Sequence, residues 1–141
     1  MGLIDTKTEK IESMSLAEMK TMHEDELILV TQIDQLATLC VQGDGDLNEL
    51  EQKLQQYIQN VKKHFAYEEE IMLAYNFPSY DMHKLAHDMF LADMTYATKI
   101  WNENGDLNKI VRFVRKSPEW IESHIKSVDT PTVEYIARKQ N

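Results

Sequence analysis

The sequence predicts an all-α fold, an antiparallel up-down-up-down four-helix bundle with a short C-terminal helix or tail. Three observations carry this. Apolar residues recur at spacings of three and four along four separate stretches. Only four Gly and three Pro occur in 141 residues, most of them at the breaks between those stretches. The breaks are short, which makes successive helices antiparallel neighbours.

Ser15 and Glu18 form a capping-box pattern ahead of the first helix, whose stripe is Leu16, Met19, His23, Leu27, Val30, Ile33 and Ala37. QGDGD at 42–46 breaks it. This stretch resembles the start of a calcium loop, but Glu49 and Gln55 stand where such a loop needs Gly and Glu, so a turn with Asp46 as helix cap is the better reading. The second helix runs from Leu47 towards Tyr75 with stripe Leu47, Leu50, Leu54, Tyr57/Ile58, Val61, His64/Phe65, Glu68, Ile71/Met72 and Tyr75, and Pro78 in NFPS ends it. The third covers Tyr80 to Asn102, with His83, Ala86/His87, Phe90, Met94, Ala97 and Trp101 on its stripe. After ENGD, with Asp106 as the expected cap, the fourth begins near Leu107 and carries Ile110, Phe113/Val114, Ile121, His124 and Val128. Pro118 is either a kink or a fresh start within it; Thr130-Pro131 is expected to end it, with a short helix over 132–139. Residues 1–141 read as a single domain with a core over 16–129.

Fifteen Lys and Arg against 24 Asp and Glu give a net charge of −9, so neither nucleic acid nor an anionic membrane is an expected partner. No apolar run reaches the ~20 residues that span a bilayer, and the N-terminal stretch lacks the apolar segment of a secretory signal. Cys40 is the single cysteine, which rules out an internal disulfide and favours a reducing compartment; a cytoplasmic protein is expected.

The informative residues are the histidines. His23, His64, His83, His87 and His124 are all five that the chain has, and each falls on an inward stripe. One buried histidine with a hydrogen-bond partner would be ordinary core. Five of them together with Glu68 bring more polar groups inside than a core can satisfy. A metal centre accounts for them, and since one zinc takes about four ligands, two metals sharing carboxylates fit the set better. HKLAH at 83–87 lacks the Glu of a zinc-protease HExxH, and no ExxH di-iron signature is present. Asp129 lies five residues beyond His124, about 140° away on a straight helix. The steric demand of Pro131 on Thr130 is expected to take the chain out of the helix and swing Asp129 back over the bundle end. Glu69, turned about 100° from Glu68, is expected to be a bystander.

In order along the chain, a His on the first helix, HFAYE at 64–68, HKLAH at 83–87 and HIKSVD at 124–129 resemble the hemerythrin family, of the single-domain bacteriohemerythrin-like kind. The likeness extends to HFxxEExxM at 64–72, Phe77-Pro78 and WIxxHI at 120–125, and it leaves no His unused. The resemblance implies a non-haem di-iron centre. In it His83, His87 and His124 hold one iron, His23 and His64 hold the other, and Glu68, Asp129 and an oxo or hydroxo group bridge them. It further implies reversible O2 binding at the open position of the two-His iron, without a catalytic role, and an electron donor, not specified by the sequence, that re-reduces the iron. Phe65, Trp120, Ile121, Ile125, Glu26 and Leu27 are the expected pocket residues. The chain departs from the family pattern at Met19-Lys20-Thr21-Met22, where Ile-Asp is usual, at Glu26, where Leu is common, and at Thr132, where Tyr is usual. The helix-four spacing from Phe113 to Trp120 is also stretched.

Two alternatives accompany oxygen storage, delivery or sensing: a di-iron enzyme that reduces peroxide or oxidises nitric oxide, and a redox-signalling module acting with a separate partner. Glu26 discriminates the first. Facing the open iron, it could supply protons; facing solvent beside Glu24 and Asp25, it would be a surface acid.

Overall fold

The computed structural model describes the backbone of residues 2–140 and the side chains of 21–139. It contains α1 (Gly2–Val41), α2 (Leu47–Ala74), α3 (Tyr80–Asn104) and α4 (Asn108–His124), then a single π-helical turn (Ile125–Asp129) and α5 (Thr130–Gln140). Helix α1 packs on α2 and α4, and α3 packs on the same two, so the four form a ring in chain order. Short joints allow no other arrangement of neighbours. Among the described residues no helix is long and apolar enough to cross a membrane.

The joints follow the residues that build them. Asp46 caps α2, its carboxylate accepting from the amides of Asn48 and Glu49. In the same turn Gly45 runs so close to α1 that a Cβ there would lie 2.7 Å from the Cys40 nitrogen. Asn76, with φ of 52°, takes the left-handed step between α2 and Pro78. Gly105, with φ of 69°, ends α3. Asp106 accepts from the Asn108 amide, although the helix boundary falls one residue later than expected.

Three expectations are corrected. Helix α1 starts at Gly2 rather than at Ser15, since the stretch between them contains no Pro and many good helix formers; the side chains of Ser15, Leu16, Glu18 and Met19 lie outside those described. Of the two readings of Pro118, the fresh helix start is ruled out. Helix α4 continues through it, with Ser117 donating its hydroxyl proton to the Phe113 carbonyl at 2.8 Å. Leu47, on the predicted stripe, is 52 % exposed at the first turn of α2.

Apolar packing occupies one half of the bundle, towards the 42–46 and 105–107 joints, where Val30, Ile33, Ala37, Leu50, Leu54, Ile58, Met94, Ala97, Ile110 and Val114 meet. The other half holds the histidines, closed off by α5, which packs on α1 and touches the second joint through Tyr135 against Phe77 at 5.3 Å. The dry half supplies the rigidity that a polar cluster needs. Leu50→Ala, at a fully buried position, is expected to lower unfolding free energy by about 2–5 kcal/mol. Leu47→Ala should stay within about 0.5 kcal/mol of the parent. Denaturant titration of both variants in one metal state checks the pair; equal losses would place Leu47 in the core after all.

Candidate metal centre

Four elements each deliver their share by helical spacing. His64 and Glu68 stand one turn apart on α2, and His83 and His87 one turn apart on α3, so each pair faces the same way. Helix α1 contributes His23. The last pair depends on the π turn. Its i→i+5 hydrogen bonding, seen where the Thr130 amide reaches the Ile125 carbonyl, stacks a residue over the one five before it. That puts Asp129 on the inward side with His124. The chain therefore does not leave the helix at Pro131, as the sequence led us to expect. Thr130 stays helical at φ −60° and ψ −49°, and the wider turn rather than a break brings Asp129 in.

All five imidazoles point Nε2 at the two carboxylates. His64 approaches Glu68 Oε1 at 2.6 Å, while His87 and His83 approach its Oε2 at 3.2 and 3.4 Å. His124 and His83 stand 3.0 and 3.1 Å from Asp129 Oδ1, and His23 stands 3.0 Å from Oδ2. None of these contacts is aligned as a hydrogen bond: the five Nε2 atoms and both oxygens of Glu68 and Asp129 are buried without one. Orphaned polar atoms at such density are costly. They aim at points between them rather than at one another, which is the geometry of a ligand shell. The donors resolve into two groups able to hold an ion each, Glu68, His83, His87, His124 and Asp129 in one, and His23, His64, Glu68 and Asp129 in the other. The two carboxylates belong to both.

The outer nitrogens fix which atom faces inward. Thr132 gives its hydroxyl proton to the Val128 carbonyl at 2.7 Å, so its oxygen accepts from His83 Nδ1 at 3.0 Å. Glu26 accepts from His64 Nδ1 at 2.7 Å and Glu69 from His87 Nδ1 at 3.1 Å. With Nδ1 carrying the proton, a neutral imidazole offers its Nε2 lone pair to the interior. Two rings are also clamped flat, His87 against Phe65 at 3.8 Å and 4°, and His124 against Trp120 at 4.5 Å and 12°.

Glu69 is thus no bystander. Its rotation away from Glu68 is what lets it reach the outer side of His87 across the α2–α3 contact. The sequence gives no signal for this, and it marked Thr132 on α5 only as a departure from the family pattern, not as a partner of His83. Glu26 was signalled, being three residues after His23. It is 4 % exposed, which overturns the surface reading.

Burial opposes charge on His64, but Glu68 and Glu26 at its two nitrogens raise it to about 11. His83 is likewise desolvated, yet Asp129 and Glu68 raise it to about 9. Burial pushes the Glu68 and Asp129 carboxyls upward; the surrounding imidazoles outweigh it and hold both below the ordinary carboxylate range. Without metal the charged forms of Glu68 and Asp129 and of His64 and His83 therefore support one another inside the bundle.

Beside it lies a cavity of about 10 Å³, room for roughly one water-sized molecule. It touches His23, His64 and His124 but not His83 or His87. Phe65, Trp120, Ile121 and Glu26 line it as expected. Leu27 and Ile125 do not; both are half-buried away from it, and Tyr57, Val61 and Phe90 take their places. Glu26 also borders an outer cleft formed with Met22, Asp25, Asn60 and Lys63.

Comparison with known proteins agrees with this geometry. Residues 14–131 match the model of the hemerythrin HHE cation binding domain. The chain is 27% identical over 128 residues to a bacteriohemerythrin of Aquifex aeolicus (strain VF5), covering 90% of this chain and 94% of that relative. No solved structure matches the chain.

Two expected outcomes follow from the charge network. Imidazoles with raised folded values stabilise the metal-free fold fully below their ordinary 6.5, and that stabilisation is lost as pH rises through about 9 and then about 11. The depressed carboxylates act oppositely, their stabilisation being lost in acid. Metal uptake at pH 7 must therefore expel the protons of His64 and His83. Calorimetry of divalent-metal binding in buffers of differing ionisation enthalpy should show about two protons released per chain; none would mean the network is neutral. Separately, Glu69→Ala and Thr132→Val should each weaken metal binding by about 10–100-fold, measured by competition with a chelator, whereas unchanged affinity would return both residues to the role of bystanders.

Proposed function

The chain belongs to the hemerythrin family, and from that premise we propose that it binds O2 reversibly at a non-haem di-iron centre. His83, His87 and His124 would hold one iron and His23 and His64 the other, with Glu68 and Asp129 available to both and a solvent-derived oxo or hydroxo group completing the shell. The observation that carries this reading is the asymmetry of the donor groups. Three imidazoles converge on one side of the shared carboxylates and two on the other, and the cavity touches both imidazoles of the poorer side. An ion held by the two-imidazole group would have its poorer side against a space that admits only very small molecules. Bound in this shell, the metal pair supplies the two electrons that O2 accepts on binding.

The protein's own residues do the rest. Val61, Phe65, Phe90 and Ile121 keep water and protons from the cavity, which favours release of the ligand unchanged over turnover. Stacking by Phe65 and Trp120 and hydrogen bonding by Glu26, Glu69 and Thr132 hold the imidazoles in place, so that few atoms move when a ligand enters or leaves. A separate reductant returns the centre to its oxygen-binding state, and storage, delivery and sensing all draw on this one chemistry.

A second reading, reduction of peroxide, is favoured by one observation. Glu26 stands on the cavity wall and also borders the outer cleft, a position from which a carboxyl can pass protons inward. Its hydrogen bond to His64 means that removing it outright would disturb a ligand, so the informative change is Glu26→Gln, which still accepts from Nδ1.

The purified, iron-replete protein is expected to contain about two irons per chain, by iron's affinity for mixed imidazole and carboxylate shells. Its reduced form should gain a visible absorption band in air and lose it on deoxygenation, over repeated cycles. One zinc and no iron per chain would end the di-iron reading. A band that bleaches irreversibly in the first cycle would favour the enzyme. Glu26→Gln should retain iron and oxidise irreversibly in air several-fold more slowly than the parent if Glu26 supplies protons, and at the parental rate if it only orients His64.

A further inference from the structure

Tyr57 sits two helical turns before His64 on α2, fully buried, and its ring forms part of the cavity wall. Its hydroxyl is buried and makes no hydrogen bond. The neighbouring Ser117 gives its own proton to the Phe113 carbonyl, and although it faces the phenol the two are not aligned as a hydrogen bond. A phenol enclosed in this way costs as much as a broken hydrogen bond, and a Phe would fill the same space without that cost. Orphan atoms elsewhere in this half of the bundle have a common explanation in the two donor groups. Tyr57 belongs to neither, so it needs an explanation of its own.

The rest of the wall shows what is missing. Val61, Phe65, Phe90 and Ile121 offer no donor, Glu26 as a carboxylate accepts, and the Trp120 indole N–H, a donor, is not among the buried polar atoms left without a partner, as the Tyr57 hydroxyl is. The inward nitrogens of His23, His64 and His124 are turned to Glu68 and Asp129. Resting on the functional reading above, we propose that Tyr57 is a specificity-determining residue, whose hydroxyl donates a hydrogen bond to the outer atom of a small ligand held in the cavity. The ligands it favours are those of two or three atoms whose far end accepts a proton or a hydrogen bond: dioxygen and its reduced forms, and pseudohalide anions such as azide. Burial and the nearby Glu26 push the phenol above its ordinary titration range, so it stays protonated and acts as a donor throughout the working pH range.

The test compares wild type with Tyr57→Phe as iron-loaded, oxidised proteins, with azide as the probe. Deleting an unpaired hydroxyl leaves the packing intact, so the variant should fold, carry the same iron and melt, without metal, no lower than wild type. Its azide dissociation constant, read from the charge-transfer band, should rise about tenfold or more, the loss expected for one hydrogen bond to a charged acceptor. Equal azide affinity in the two proteins would overturn the assignment. So would a lower metal-free melting temperature with unchanged affinity, which would show the hydroxyl bonded within the fold. A wild-type protein that takes up iron but gives no azide band would place the open position away from this cavity and remove the assignment. Failure to take up iron at all would instead sink the di-iron reading from which it starts.

Discussion

The rest of this structure depends on the enclosure of two carboxylates by five imidazoles whose facing atoms do not hydrogen-bond to one another. Left alone, such a cluster would be among the most expensive things a small bundle could bury. It is tolerable for two reasons. Without metal, His64 and His83 carry charge opposite the two carboxylates at about 3 Å. With metal, the same atoms would serve as ligands and give up their protons. The fold is arranged around this exchange: a dry half supplies rigidity, the polar half supplies the donors, and α5 covers the open end.

Rigidity at the centre comes from outside the ligand set. Glu26, Glu69 and Thr132 come from α1, α2 and α5, and each fixes the orientation of one imidazole borne by another helix. Each hydrogen bond therefore joins two elements as well as setting a tautomer. The same contacts that prepare the donors hold the bundle together at the end where apolar packing is thinnest. This makes the affinity of the centre and the stability of its surroundings a single property, and explains how a polar interior can be as well ordered as a hydrophobic one.

Much of this was legible in the sequence. The four helices follow from apolar spacing, and the five histidines and Glu68 stand out because they occupy places where Leu or Val would be expected; Asp129 was reached only through the resemblance and a mistaken account of Pro131. What could not be read has specific physical causes. The outer partners Glu69 and Thr132 lie off the inward stripes, and their roles depend on which helices touch. Pro131 misled because the local rule that a residue before proline avoids helical geometry gave way to the hydrogen bonding of a wider turn and the packing of α5. Leu47 misled because a first-turn residue can share the periodicity of a stripe and still point past the end of its partners. Tyr57 was seen as core but not as polar, since nothing in one sequence tells whether a buried hydroxyl has found a partner.

The π turn has a consequence for how such a chain can change over generations. It fits five residues where a straight helix would fit about four, so a single-codon insertion or deletion separates a helix that can present both His124 and Asp129 inward from one that cannot. Substitutions at the exposed Lys126 or Ser127 leave that count untouched, and the joints at 42–46 and 76–79 can change length without altering it. A length change of one residue between His124 and Asp129 therefore costs the centre more than a change of identity at the exposed positions between them. Between the two donors, length matters more than composition.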